Sequence, residues 1–160
     1  MALKAKIFGI NKFVYLKGAT ASIALMKLVL GCTGLDESDS STAVETATQT
    51  NGGGTGSEYG FSKNTLSINC KDYHFVSGDV TSLVTIADFR TAREARTKMT
   101  LCWGEAALVA GVPTVTATTV FRQATVVVTD IKQGHKVDDQ TTFDVTFSVD
   151  GAITNLTTIA

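Results

Sequence analysis

Between Thr141 and Asp150 the chain alternates without a break. Phe143, Val145, Phe147 and Val149 fall on one side, and Thr142, Asp144, Thr146, Ser148 and Asp150 on the other. A period of two is the strand period, because successive side chains of an extended backbone point to opposite faces. This segment therefore reads as a half-buried β-strand with a core on one face and a polar surface on the other.

The rest of the chain is read around that strand. Ala5–Lys17 carries Ile7, Phe8, Ile10, Phe13, Val14, Tyr15 and Leu16 and reads as a first strand region ended by Gly18. Ser22–Gly31 suits either a strand or a helix and is taken as extended. In Phe61–Phe75, Leu66, Ile68 and Cys70 alternate with Ser67, Asn69 and Lys71, a second half-buried strand. Within Thr81–Arg96 the period changes. Leu83, Ile86 and Phe89 recur at helical spacing, Asp79 or Thr81 is placed to cap the start, and Arg90, Arg93 and Glu94 form the solvated face. Thr97–Gly104 returns to alternation, with Met99, Leu101 and Trp103 opposite Lys98, Thr100 and Cys102. Glu105–Pro113 reads as a loop, Thr114–Lys132 as a long β-prone run, and Ile153–Ile159 as a short last strand. No internal repeat is present. The order strands, one helix, strands predicts a mostly-β sandwich or barrel with one flanking α-helix.

Residues 33–60 stand apart. The stretch opens with Asp36, Glu37 and Asp39 among serines, and it closes on Gly52-Gly53-Gly54-Thr55-Gly56. Between them Thr42–Thr50 alternates small or apolar with polar residues, a pattern for an exposed strand or hairpin arm. The glycine-rich tip cannot bury enough apolar surface to order itself. The 32 residues before it are too few to form a domain, so a linker between domains fits poorly. The expectation is one domain over residues 1–160, with 33–60 a long loop or arm that orders on a neighbouring subunit.

Composition narrows the function classes. Charged residues make up 18% of the 160-residue chain, against the usual ~25%, and threonine and serine take their place. Threonine favours pleated, half-buried surface. The net charge of −1 argues against a nucleic-acid binder, which carries a basic excess. Cys32, Cys70 and Cys102 are odd in number, far apart and outside any C-x-x-C pattern, which predicts thiols in a reducing cytosol. The apolar run Ser22–Leu30 is too short to span a membrane and contains Lys27. The start of the chain lacks the apolar core and cleavage site of a secretory signal, so cytosolic synthesis is expected.

Candidate chemistry is thin. There is no Gly-x-Ser-x-Gly elbow. The glycine run at 52–56 lacks the Lys-Ser/Thr ending of a phosphate loop. Asp138-Asp139 and Asp36-Glu37 with Asp39 miss the spacing of a calcium loop, and acidic residues are ordinary at turns. His74 and His135 lie near no cysteine in sequence. No catalytic residue, metal site or cofactor is assigned.

The last third of the chain carries a resemblance. Phe121-Arg122-Gln123-Ala124-Thr125-Val126-Val127-Val128-Thr129-Asp130-Ile131 is followed by a polar turn, and then by Phe143-Asp144-Val145-Thr146-Phe147 and Gly151-Ala152-Ile153-Thr154. This order resembles the closing segment of the tail tube proteins of long-tailed bacteriophages, where a G-x-A-x-V-T-x-I strand leads to an F-x-V-T-F-x-x-x-G-x-I-T strand. Gln123 departs from the family's usual glycine. The motif covers about residues 120–154, and the order of elements covers most of the chain.

The resemblance implies a structural virion protein, made in the host cytoplasm and placed in the tail, that self-assembles into hexameric rings stacked as a tube. DNA would be ejected through the lumen without specific binding. Tape measure protein, tail terminator and baseplate or tip proteins would be its partners, and no membrane is implied. The lumen-facing candidates are Asp144, Thr146, Ser148 and Asp150, which could equally face water. Asp36, Glu37, Glu45, Gly52, Gly53 and Gly54 are candidates for an arm between rings, and Arg90, Arg93 and Glu94 for the outer face of the helix. The same fold serves contractile tails and type VI secretion tubes, so the tail type stays open. Two other classes stand beside this reading: a β-sandwich binding module such as an adhesin or receptor-binding domain, and a small hydrolase built around His74 or His135.

Overall fold

The computed structural model describes residues 12–17, 26–29, 31–47, 55–71, 83–110, 112–114, 121–135 and 141–156. In chain order these are β1 (Lys12–Lys17), β2 (Lys27–Val29), β3 (Cys32–Ala47), β4 (Thr55–Lys71), β5 (Leu83–Val84), α1 (Ile86–Glu94), β6 (Met99–Glu105), β7 (Ala107–Val109), β8 (Val112–Thr114), β9 (Phe121–Gly134), β10 (Thr142–Val149) and β11 (Thr154–Leu156). One sheet runs β3-β4-β10-β9-β6-β1-β2-β5, with β11 also on β9 and a separate β7-β8 pair. All pairings are antiparallel except β2 with β5.

The expected strand at the C-terminal end is the axis of this sheet. β10 lies between β4 and β9, with Phe143 opposite Cys70, Val145 opposite Ile68 and Phe147 opposite Leu66. These six side chains are all buried. The core continues through Ala124, Val126 and Val128 of β9, Leu101 and Trp103 of β6 and Val14 of β1. Helix α1 closes it with Ile86 and Phe89. The Phe89 ring meets Phe147 edge to face at a centroid distance of 5.7 Å, a geometry favoured by the ring quadrupole.

The sheet curls. Laid flat, β3 and β6 would stand four strand spacings apart, roughly 19 Å. Yet Trp103 Nε1 of β6 donates to Glu37 Oε1 of β3 at 2.6 Å. The β3 edge of the sheet thus folds over the apolar filling toward β6, the fifth strand in the row, and the result is a curled sheet, not a closed barrel.

Several expectations change in detail. The helix starts at Ile86 instead of Thr81, because Leu83 and Val84 are drawn into β5 by pairing with Leu28 and Val29. Its cap is Thr85, whose backbone N–H donates to Asp88 Oδ2 at 2.8 Å; Asp79 and Thr81 lie outside the described residues. Arg96, just beyond the helix, takes φ 53°, the left-handed residue that ends many helices. The expected loop Glu105–Pro113 is instead the end of β6 and a small β7-β8 hairpin, with Leu108 opposite Pro113. The loop expected at 33–60 is for most of its length paired strand, β3 against β4; its tip, including Gly52, Gly53 and Gly54, lies outside the described residues.

The polypeptide leaves β10 through Gly151, whose φ of 91° suits glycine and strains other residues. Val149 faces Val126 and Thr154 faces Gln123. Residues 150–153 therefore bulge opposite residues 124 and 125, and β11 resumes the pairing.

A smaller apolar cluster, Tyr15, Cys102, Phe121 and Leu156, lies apart from the main core. The Tyr15 hydroxyl is buried there without a hydrogen-bond partner among the described residues. Burial disfavours the phenolate and pushes the Tyr15 pKa up to about 12. The folded-state value is thus raised, so this stability is complete below the ordinary value near 10 and falls as pH rises toward 12. In urea unfolding, Tyr15→Phe is expected to be no less stable than the wild type at pH 7. Relief of the unsatisfied hydroxyl is worth at most about 1–3 kcal/mol. The variant should also lose less stability than the wild type between pH 9.5 and 11.5.

Candidate assembly surfaces

Alternation leaves β10 with a second face. Asp144, Thr146 and Ser148 point away from the core and away from α1, because the helix covers the Phe147 side. Register carries this polar face across four strands. Asp36, Ser67, Thr146 and Asp130 form one row, and Gly34, Asn69, Asp144 and Lys132 a second. In these two rows three carboxylates, Asp36, Asp144 and Asp130, stand against one ammonium, Lys132, which lies 3.8 Å from Asp130. Lys71 opposite Thr142 and Lys63 opposite Ser40 fall on the same side, so the face is hydroxyl- and amide-rich with mixed charge and no cationic excess. Asp150 differs from its expected companions. It sits beyond β10, its N–H donates to Thr125 O at 2.8 Å, and its carboxylate holds Lys98 Nζ at 2.6 Å.

Arg90, Arg93 and Glu94 are exposed on α1, on the opposite side of the sheet. The Arg90 guanidinium donates to Gln133 Oε1 of β9, which fastens the helix to the sheet.

The third surface is a projecting ribbon. β10 supports β4 only from Thr65 to Lys71. Beyond that, β3 and β4 have only each other among the described residues, from Asp39 opposite Asn64 to Ala47 opposite Thr55. Nine residues of β3, Asp39–Ala47, reach about 30 Å. Glu45 lies on this ribbon opposite Ser57. A two-stranded ribbon is marginal in water without a third strand or a packed face, and among the described residues the second edge of β3 has no strand beside it.

Of the acidic pair at the ribbon's root, Asp36 points to the polar face and Glu37 to the core side. Glu37 accepts from Trp103 Nε1 and from the Arg122 guanidinium. That guanidinium lies 5.9 Å from the Trp103 ring centre, within cation–π range. Glu37 is thus engaged within its own subunit. No sequence spacing announces this clasp, since Glu37 lies 66 residues from Trp103 and 85 from Arg122. Among the described residues no group of three His, Cys, Asp or Glu is placed to hold a metal. His135 is exposed, and His74 lies outside the described residues.

No protein-family model and no curated protein matches the chain. Solved structures do. The SPP1 tail tube aligns with 96% of this chain and 80% of its own, at a TM-score of 0.63 and 8% identity. A subunit from the C6-symmetric tail of an empty gene transfer agent particle covers 92% of this chain and 97% of its own, at 0.61 and 11%. A chain of the sheath–tube complex of an extracellular contractile injection system covers 97% and 94%, at 0.62 and 9%. The fold is therefore shared over nearly the whole chain, while the sequences have diverged almost completely.

Trp103 is the single tryptophan and reports on the clasp. Glu37→Ala should strand its indole N–H, cost about 1–3 kcal/mol in urea unfolding and shift tryptophan emission to the red. Glu37→Gln, which keeps an acceptor, should lose less on both readouts.

Proposed function

We propose that this chain is the subunit of a tail tube: a structural virion protein whose copies close into rings and stack into a hollow conduit for DNA. The observation that carries the proposal is whole-chain likeness to proteins from a phage tail tube, a gene transfer agent tail and an injection-system sheath–tube complex. Rings of six follow by analogy with the C6 tail of the gene transfer agent particle. Tape measure, tail terminator and baseplate or tip proteins are the partners expected of such a subunit.

The physical chemistry supports the same reading. Among the described residues the β3 edge and the ribbon lack a further strand, and sibling copies would supply it, ring closure doing so with one repeated contact. The ribbon, with Glu45, reaches a neighbouring copy and packs against it. The face of Asp36, Asp144, Thr146 and Ser148 lines the lumen. Phosphate neutralisation by Lys and Arg dominates DNA affinity, so a face whose lysines are balanced by carboxylates lets DNA slide. The helix face of Arg90, Arg93 and Glu94 lies outside. The subunit works by shape and surface charge, without a catalytic step.

Electron microscopy of the purified protein should show sixfold rings or tubes. Joining Ser41 to Ser62 through an Asn-Gly turn deletes the ribbon at a paired register position and supplies a hairpin turn of the favoured type. That variant should stay folded by circular dichroism yet form no tubes. A monodisperse wild-type monomer at high concentration would overturn the proposal. Separately, the double variant Asp144→Lys, Thr146→Lys should still assemble. Its tubes should retain double-stranded DNA at low salt and release it as salt rises, with wild-type tubes retaining none.

A further inference from the structure

Cys32 and Cys70 lie 38 positions apart in sequence and directly opposite one another in the β3-β4 register. The Lys71 N–H donates to Gly31 O at 2.9 Å, which makes Gly31 and Lys71 a hydrogen-bonded pair. Antiparallel strands alternate pair types, so Cys32 and Cys70 occupy the next, non-hydrogen-bonded position. There the Cα atoms approach to about 4.5 Å and the side chains come closest, inside the roughly 4.4–6.8 Å that a disulfide bridges. Both side chains turn to the core side. Cys70 is fully buried within it and Cys32 is half-buried at its margin. The irregularity at Thr33, between Cys32 and Gly34, follows immediately. The Thr33 hydroxyl holds it by donating to Asn69 O at 3.1 Å.

We propose that Cys32 and Cys70 form a dithiol site that reacts with a low-molecular-weight disulfide and closes to an intrachain disulfide at the base of the β3-β4 hairpin, at the opposite end from the ribbon. The half-buried Cys32 is the attacking group. Its sulfur bonds to one sulfur of the small disulfide, whose S–S bond breaks, and the Cys32 proton leaves on the first expelled thiol. Cys70 then attacks Cys32 Sγ and expels the second small thiol, which takes the Cys70 proton. Two protein thiols are oxidised and one small disulfide is reduced to two thiols. The pair's asymmetry matches these roles. The hydrogen bond from the Cys70 thiol holds the Cys32 pKa below the ordinary thiol value, whereas the same contact and burial push Cys70 upward. Cys102 is buried in the separate cluster beside Tyr15 and Phe121, away from the pair. The bond would close the loop that contains the ribbon and tie β3 to β4 at the irregular base of the hairpin, a lock available once the protein leaves a reducing cytosol.

The test uses the full-length protein and oxidised glutathione at pH 8, followed by alkylation and intact-mass and peptide-mass measurement. The expected product has lost two hydrogens, carries no glutathione, retains Cys102 as its only free thiol, and links tryptic peptides 28–63 and 64–71. Its melting temperature should exceed that of the reduced protein by about 5–15 °C. Cys70→Ser should instead stop at a stable glutathione adduct on Cys32, and Cys102→Ser should behave as the wild type. Three alkylatable thiols after oxidation, a wild-type product halted at the glutathione adduct, or a disulfide that includes Cys102 would each overturn the proposal. The decisive masses come from the wild type, so a poorly folding variant does not weaken the test. The outcome is also independent of whether the protein forms tubes.

Discussion

The apolar stripe of β10 is the constraint on which the architecture depends. Phe143, Val145 and Phe147 are wholly or almost wholly buried, and burying each aromatic or aliphatic side chain contributes about 1.5–3 kcal/mol. β4 and β9 flank the strand, and α1 is drawn onto the same side by the contact between Phe89 and Phe147. Once that side is filled, the opposite side of β4, β10 and β9 has no helix among the described residues to cover it and is left to hydroxyls, amides and charges of both signs. The division between a helix-bearing side and a polar side, which gives the assembly proposal its inside and outside, descends from one alternating strand.

Curling of the sheet follows from the same filling. A broad sheet with one apolar face can hide it by bending over itself, and here the bend is fastened at its mouth by Glu37, Trp103 and Arg122. Arg122 is half exposed, so its ion pair adds little by itself. The indole N–H is the part that needs a partner, because Trp103 is buried. The clasp sits where β3 stops being part of the body and becomes a ribbon. The opposed thiols of Cys32 and Cys70 lie at the beginning of β3 and the end of β4, so the clasp acts at the root of the projecting element and the thiol pair at the far end of the same hairpin.

The mapping from residues to surfaces was uneven along the chain. The alternation of β10, of Leu66, Ile68 and Cys70, and of Met99, Leu101 and Trp103 was readable because a strand's side chains have a fixed period. The amphipathic helix was readable for the same reason, although its start was not. Leu83 and Val84 continue the helical pattern locally and yet were taken by a distant partner, β2. The Glu105–Pro113 segment read as a loop because glycine and proline punctuate it, but an isolated two-stranded pair tolerates a proline at its edge. The polar rows built on Asp144 and Thr146 could be half foreseen. Their neighbours Asp36, Asp130 and Lys132 could not, since cross-strand register was needed to name them.

By itself the sequence determined the local periods, and with them the β-rich class, the single helix, the apolar and polar faces of β10 and the odd character of the ribbon. These depend on neighbours a few residues away, where backbone geometry alone dictates which side chains share a face. Only the tertiary structure decided which strands adjoin, that the sheet curls without closing, that Glu37 turns inward while Asp36 turns out, and that Cys32 meets Cys70. Those outcomes depend on contacts between residues dozens of positions apart, and no local period encodes the register that brings them together.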